Sequence, residues 1–206
     1  PIIKRAIASG YHSVMVDGSR LALSENIEAT RNVVALAHQA GIPCEAELGA
    51  VMGHEDGPFP AYEELFNSQK GFTDLHDAQI FVTESGCDWL SVAVGTVHGA
   101  VSMSKRGEEK ISARLDLEHL ERLRDVTKIP LVLHGGSGIA REYLFGAFEL
   151  GVAKLNVGTD IRQVYENNLH STGQIGTAQD EVYQRVCYLL KHEYKLAGNR
   201  SLVYYE

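Results

Sequence analysis

The sequence predicts an α/β fold built as part of a (β/α)8 TIM barrel, for three reasons. Short apolar, β-branched runs alternate with segments of helical periodicity, which is typical of parallel strands covered by helices. No G-x-G-x-x-G motif follows an early strand, which counts against the competing doubly wound sheet. Polar residues also stand at the carboxyl ends of five predicted strands, the end at which a barrel builds its active site: Asp17, Glu47, His98, His134 and Asn156.

The alternation yields about five βα units, whereas a whole barrel has eight units and typically about 250 residues. We therefore expect the 206 residues to form a single domain, 1–206, that holds the units β4 to β8 of a barrel whose first three strands precede Pro1. The predicted strands lie in SVMVDGS, CEAELG, WLSVAVG, LVLHGG and AKLNVGTD. The predicted helices cover the first ten residues up to Gly10, a segment capped by Ser24 that runs to Ala40, Asp74 to Ser85, Asp116 to about Val126, about Ala140 to Leu150, and about Ala178 to Leu196.

Composition excludes several classes of function. The formal charge of -8 and the scattered Lys and Arg residues provide no basic stripe, so we expect no nucleic-acid partner. No apolar run approaches the roughly 20 residues of a membrane span, so we expect no membrane partner. The cysteines, Cys44, Cys87 and Cys187, lack C-x-x-C spacing, which argues against a disulfide framework and a cysteine zinc site. These features favour a cytoplasmic protein.

Two predicted strands end on a histidine that is followed by glycine, His98 in VGTVHG and His134 in LVLHGG. Imidazoles at the same end of neighbouring strands can converge on one metal ion, and Glu47 can add a carboxylate at the same rim. A catalytic zinc ion needs three protein ligands and an open position, and only two histidines are well placed. The alternative is that each histidine is hydrogen bonded at a strand end and that Glu47 is solvated.

Glycine-rich turns follow the last two predicted strands, GGSG after one and NVGTD after the other. Backbone N–H groups in such a turn, and at the start of the helix that follows, can bind a phosphate without net positive charge. In barrels this site lies after the seventh and eighth strands. The alternative is that these turns are only flexible connections.

The stretch GAVMGHEDGPFP opens a polar loop of roughly 20 residues, a length that in compact domains marks either a functional lid or disorder. Glu55 and Asp56 in this stretch can be surface charges. They can also be an acid or base that a closing loop brings to the substrate.

Six motifs resemble the class II (zinc-dependent) ketose-1,6-bisphosphate aldolases in order and spacing, from Pro1 to about Arg162. They are SVMVDGS, EAELG, GHEDG, VAVGTVHG, LVLHGGSGI and KLNVGTD. The resemblance implies a lyase of carbohydrate metabolism, in glycolysis, that reversibly cleaves fructose or tagatose 1,6-bisphosphate to dihydroxyacetone phosphate and glyceraldehyde 3-phosphate. It implies a zinc cofactor, a phosphorylated ketose as substrate, and a cytoplasmic homodimer or homotetramer. It also implies a barrel that lacks its first three βα units.

By motif match, the resemblance implies that His98 and His134 are zinc ligands, with Glu47 associated with the metal. It implies that Glu55 is the mobile-loop acid, and that Asn156 holds the enediolate. The backbone carbonyls of Val97, Gly99 and Gly135 are implied to hold a monovalent cation, Na⁺ or K⁺. The implied phosphate-binding residues are Gly99, Gly135, Ser137, Asn156, Gly158 and Thr159.

The sequence also departs from the family. The third zinc histidine and the base that acts on the C4 hydroxyl lie in a D-H pair in the family, and this chain has no D-H. Arg185 is the only suggestion for a distal phosphate ligand. Four alternatives stay open: a non-catalytic phosphosugar- or metal-binding fragment, a subunit that supports an aldolase, a Schiff-base aldolase that uses Lys154, and a metal-dependent epimerase or isomerase on the same barrel. The choice between fructose and tagatose is open as well.

Overall fold

Five parallel strands form one sheet in which spatial order follows chain order. A doubly wound sheet reverses its strand order at a switch point, whereas the strands of a barrel follow one another. The α/β class and the barrel-type strand order are therefore confirmed. The strands are β1 Val14–Asp17, β2 Cys44–Leu48, β3 Trp89–Val92, β4 Leu131–Leu133 and β5 Val152–Leu155.

The computed structural model describes residues 1–50, 62–96 and 113–199. Its contacts divide the chain into two units, Pro1–Asn156 and Val157–Glu206. The prediction of a single domain over 1–206 stays a prediction, as does that of three strands before Pro1. None of the helices in the described ranges is both long and apolar enough to cross a membrane.

Helices connect the strands of the first unit largely where the sequence predicts them. Asp74 and Asp116 cap α4 and α5: a carboxylate oxygen of Asp74 accepts the backbone N–H of His76 at 2.8 Å, and one of Asp116 accepts that of His119 at 2.9 Å. The helices are α1 Ile2–Ala8, α2 Leu23–Gln39, α3 Tyr62–Ser68, α4 Leu75–Ser85, α5 Leu117–Thr127 and α6 Arg141–Glu149.

One helix prediction and one loop prediction in this unit need correction. Ser24 does not cap α2, which begins one residue earlier at Leu23. The Glu25 carboxylate accepts the backbone N–H of Ala22 at 3.3 Å and so satisfies a donor at the helix start. The polar stretch of roughly 20 residues is also interrupted, because α3 begins at Tyr62, whose hydroxyl donates to the Gly95 carbonyl at 3.1 Å.

The second unit contains two helices and a π-helical turn: α7 Thr159–Thr172, α8 Ile175–Tyr188 and the turn Leu189–Glu193. The tail was predicted as one helix over 178–196. No helix was predicted at α7, and α8 begins earlier than predicted, at Ile175. The reason is that α7 ends at Thr172 and its C-cap Gly173 has φ of +67°, which allows the chain to turn at once into α8. Arg185 of α8 lies 3.9 Å from Asp160 of α7.

One face of the sheet packs against the helices and forms the apolar core. Leu90 of β3 is fully buried, as are Phe81 of α4 and Leu123 of α5. Because side chains alternate across a strand, every second strand residue contributes to this layer. The strand residues in the core are Val14, Cys44, Ala46, Leu90, Val92, Leu131, Leu133 and Val152. The intervening residues of β2 and β3 face the opposite side, where polar groups collect.

The glycine turn after β4 packs tightly against the end of β5. The Gly136 N–H donates to the Asn156 carbonyl at 2.9 Å, and the Asn156 N–H donates to the Leu133 carbonyl at 2.9 Å. A Cβ added to Gly136 would lie 2.7 Å from the Leu155 side chain and 2.9 Å from the Asn156 carbonyl oxygen. Gly136 is therefore required for close approach of backbone to backbone.

We expect Gly136→Ala to lower the free energy of unfolding by about 1–3 kcal/mol, because the added methyl group forces the turn and β5 apart. Gly176→Ala is the control, since a Cβ there meets nothing within 4 Å. Urea denaturation followed by circular dichroism measures both variants. Equal stability of Gly136→Ala and the parent protein would contradict the close packing of this turn.

We expect only one of the three free thiols to react with an alkylating reagent at pH 8 in the folded protein. Burial raises the pKa of Cys44 from about 9 to about 12 and that of Cys87 from about 9 to about 11, so both stay as inert thiols. Cys187 is partly exposed. Mass spectrometry should find the label on Cys187 alone, and on all three cysteines in urea. Native labelling at Cys44 would contradict its burial, and Cys187→Ser is the control that removes the native signal.

Candidate metal and phosphate site

Polar side chains meet on the inner face of the sheet, opposite the apolar core. Glu47 of β2 is level with Ser91 of β3, and Ser91 is level with Val132 of β4. Because side chains repeat every second residue along a strand, Glu45 and His134 lie on this same face. One histidine and two glutamates, distant in sequence, are thereby brought together.

Both ring nitrogens of His134 contact a carboxylate. Nε2 lies 3.0 Å from Oε1 of Glu45, and Nδ1 lies 3.0 Å from Oε2 of Glu47. All three residues are buried, with exposed fractions of 8% for His134, 2% for Glu45 and 5% for Glu47. The imidazole is therefore held from both sides in a site that is largely closed to solvent.

The two carboxylates also set the protonation of this cluster. Burial on its own lowers the pKa of His134, but hydrogen bonds and charge from Glu45 and Glu47 outweigh it and raise the pKa to about 9. Burial raises the pKa of Glu45, but hydrogen bonds from His134 and Lys154 outweigh it, so the net shift is downward. The described residues thus stabilise a charged network.

Lys154 joins the network from β5. Its Nζ lies 2.7 Å from Oε2 of Glu45, so the two Glu45 oxygens bind two different partners. The pairing of β4 with β5 shifts by one residue, so that Leu131 pairs with Val152 but Val132 pairs with Lys154. This irregularity places Lys154 level with Val132, on the inner face with Glu45.

A second set of contacts fixes the carboxyl ends of β1 and β2. The Asn26 side chain on α2 donates to the backbone carbonyl of Glu47 at 3.0 Å, and Thr30 donates to Asn26 at 3.2 Å. A Cβ at Gly18 would overlap the Asn26 side chain, so the loop after β1 closes directly on it. Asp17 accepts two hydrogen bonds from Ser19, at 3.1 Å from the backbone and 2.7 Å from the hydroxyl.

The predicted phosphate residues divide between the two units. In the first unit, Gly135 has φ of +69° and opens the turn, while Ser137 is buried within it and Asn156 follows β5. The Gly136 N–H is committed to the Asn156 carbonyl and is not available to an anion.

In the second unit, Gly158 is the N-cap of α7 and Thr159 is its first residue, so both stand at a helix N-terminus as expected. Arg185 lies over the Tyr188 ring, with 5.4 Å from Cζ to the ring centroid. Its suggested contact with a distal phosphate stays a prediction. Five further predicted residues lie outside the described residues: Glu55, Asp56, Val97, His98 and Gly99.

The donor atoms of Glu47 and His134 suit one metal ion. Two ligands of a tetrahedral zinc ion, with bonds of 2.0–2.1 Å, stand about 3.3 Å apart. Oε2 of Glu47 and Nδ1 of His134 are 3.0 Å apart, and both are buried. Within residues 1–50, 62–96 and 113–199, no group of three or more His, Cys, Asp or Glu side chains is arranged to hold a metal. The described part of the site therefore offers two donors of the expected kind.

No role is predicted from the sequence for Glu45 or Asn26, and the only role predicted for Lys154 is that of a Schiff-base residue. The E-x-E spacing in CEAEL was the signal for Glu45, because residues two apart share one face of a strand. No signal identified Asn26, since a polar residue in an amphipathic helix is ordinarily solvated.

The curated proteins that this chain resembles include fructose-bisphosphate aldolases. Two fructose-bisphosphate aldolases from Streptococcus pneumoniae, strains TIGR4 and R6, are each 36% identical over 180 residues, which is 87% of this chain and 56% of theirs. The chain thus spans about half the length of these curated relatives.

Solved structures share the fold. The YdjI aldolase from Escherichia coli K12 is 31% identical, with a TM-score of 0.68 over 96% of this chain and 64% of that one. A putative fructose-1,6-bisphosphate aldolase from Coccidioides immitis is 29% identical, with a TM-score of 0.74 over 95% of this chain and 68% of that one. The family model for fructose-bisphosphate aldolase class-II matches residues 1–199. Because this match covers nearly the whole chain, the chain belongs to the class-II fructose-bisphosphate aldolase family.

Proposed function

We propose that the full protein carrying this chain is a zinc-dependent aldolase that reversibly cleaves a ketose 1,6-bisphosphate, fructose or tagatose, to dihydroxyacetone phosphate and glyceraldehyde 3-phosphate. One observation carries the proposal. Glu47 and His134 present donor atoms 3.0 Å apart at the carboxyl end of the sheet, directly before the glycine turn at Gly135. A metal site and an anion site so close together suit a substrate that has a carbonyl near a phosphate.

His134, Glu47 and His98 would hold the zinc ion, and the family's third histidine is not in this chain. When bound, zinc supplies Lewis-acid chemistry, which lowers the energy of negative charge that develops on the substrate oxygens. The surrounding residues exclude water from this charge, because Glu45, Glu47 and His134 are all buried.

The remaining residues bind the substrate and move protons. A base removes the C4 hydroxyl proton, the C3–C4 bond breaks, and its electron pair forms the enediolate of dihydroxyacetone phosphate. Glu55 then donates a proton to C3 of that enediolate as its loop closes. Asn156 orients the enediolate by hydrogen bonding. The phosphate is held by Gly99, Gly135, Ser137, Asn156, Gly158 and Thr159.

Further parts of the proposal follow from family membership. The backbone carbonyls of Val97, Gly99 and Gly135 would hold Na⁺ or K⁺, a cation that offsets the phosphate charge in a chain of formal charge -8. The full protein would be a cytoplasmic homodimer or homotetramer that acts in glycolysis. The Schiff-base alternative is not favoured, because the Lys154 nitrogen donates to Glu45 at 2.7 Å.

We expect His134→Ala in the full protein to abolish stoichiometric zinc binding and to reduce kcat/KM by about a thousandfold or more, because several kcal/mol of charge stabilisation are lost. Metal analysis and a coupled cleavage assay measure the two effects. His76→Ala is the matched control, since His76 is exposed on α4.

The variant Glu55→Gln separates proton transfer from metal binding in the same assays. It should keep its zinc and lose turnover by about 10²- to 10⁴-fold, the usual contribution of an acid–base residue. Full cleavage activity after thorough removal of metal would overturn the zinc part of the proposal, whatever the variants do.

A non-catalytic fragment is the second candidate, and the missing D-H pair favours it for the 206 residues by themselves. We expect the isolated chain to bind zinc weakly and to show no turnover, because two histidines leave the metal without its third imidazole. Isothermal titration with zinc and the cleavage assay test this chain beside the full protein. Normal turnover by the isolated chain would contradict the expectation.

A further inference from the structure

We infer that Lys154 and Glu45 form a positioning pair that directs Nδ1 of His134 toward the metal. The inference rests on the proposed zinc site and adds two residues to it. In this arrangement Glu45 is not a ligand. It accepts a hydrogen bond from Nε2–H of His134, so the proton that a metal displaces is the one on Nδ1, and Nδ1 then supplies the lone pair to the metal.

The first support is that the two carboxylate oxygens of Glu45 contact different partners. Oε1 lies 3.0 Å from Nε2 of His134, and Oε2 lies 2.7 Å from Nζ of Lys154. A buried carboxylate needs both charge compensation and hydrogen bonds, and these two contacts supply them. An ammonium in direct contact with Glu45 also opposes the approach of a second cation to that carboxylate.

The second support is the depth of the two glutamates in the sheet. Glu45 is level with Trp89, and Glu47 is level with Ser91, which is nearer to the carboxyl end. Two residues along a strand correspond to about 6.6 Å. Glu47 is therefore the carboxylate at the end where a barrel binds its substrate, and Glu45 lies behind the imidazole.

The third support is the irregular pairing of β4 with β5. With regular pairing, Ala153 would be level with Val132, and Lys154 would be level with Leu133, which belongs to the apolar core. The observed shift makes Lys154 level with Val132 instead. The irregularity therefore has a specific result, which is the ion pair between Lys154 and Glu45.

The resulting arrangement is a carboxylate–histidine–metal triad with a lysine behind the carboxylate. Partners of this kind fix the tautomer and the ring orientation of a metal-binding histidine, and their loss typically lowers metal affinity by about 10- to 100-fold. Lys154 acts on the imidazole only through Glu45, so its removal should produce a smaller change in the same direction.

The test measures two quantities in the full protein, zinc affinity by competition with a chelator and the His134 tautomer by ¹⁵N NMR of the ring. We expect Glu45→Gln to weaken zinc binding by about 10- to 100-fold and to reduce the population of the Nε2–H tautomer. Lys154→Met should change both zinc affinity and tautomer population less than Glu45→Gln does. Lys154→Arg keeps the positive charge and should give the parent values of both. The matched controls are Glu84→Gln and Lys128→Met, which alter exposed charges elsewhere on the chain.

Three results would overturn the inference. In the first, Glu45→Gln keeps the parent zinc affinity and tautomer while His134→Ala has lost its zinc, which leaves the proposed function intact. In the second, X-ray absorption shows that Glu45→Gln removes an oxygen ligand from the zinc ion. In the third, Lys154→Met equals the parent in both readouts.

If Glu45→Gln does not fold, the Lys154 variants decide between the outcomes, because the Lys154 side chain is 43% exposed and its replacement does not disturb the interior. Retention of zinc by His134→Ala would instead overturn the proposed function.

Discussion

Two glutamates buried on one face of β2 impose the constraint on which the site depends. An unpaired carboxylate in the interior costs several kcal/mol, so each must find a positive partner or a hydrogen-bond donor. His134 pairs with both Glu45 and Glu47, and Lys154 pairs with the second oxygen of Glu45. These partners come from β4 and β5, so the demand of two side chains on one strand fixes the relative placement of three strands.

The same constraint accounts for local features that otherwise look unrelated. The shifted pairing of β5 brings Lys154 to the inner face. The buried Asn26 holds the Glu47 carbonyl and so fixes the end of β2 against α2. Gly136 lets the turn after His134 close against the end of β5. The first two features restrict Glu45 and Glu47, which contact His134, and the third restricts the turn that follows it, so these groups are positioned before any ligand binds.

The two faces of the sheet have different roles: the apolar outer face stabilises the fold, and the polar inner face forms the candidate site. The outer residues pack on α2, α4 and α5 and supply the hydrophobic stabilisation of the first unit. The inner residues contribute chemistry at a cost in stability, which the apolar layer offsets. The Ser91 hydroxyl has no hydrogen-bond partner within the described residues, in keeping with an inner face that is arranged for a ligand and not for maximal stability.

The sequence by itself determined the strands and the approximate bounds of α1, α2, α4, α5 and α6, because these follow from local periodicity and from signals such as the cap Asp116. It did not indicate α3 or α7. It also indicated His134 and Glu47, because polar residues at strand ends are a local signal. Only the tertiary structure decided that Glu45 and Lys154 belong to the same cluster. Their contact joins residues 109 positions apart and depends on strand register and on one irregular pairing, which local sequence does not encode.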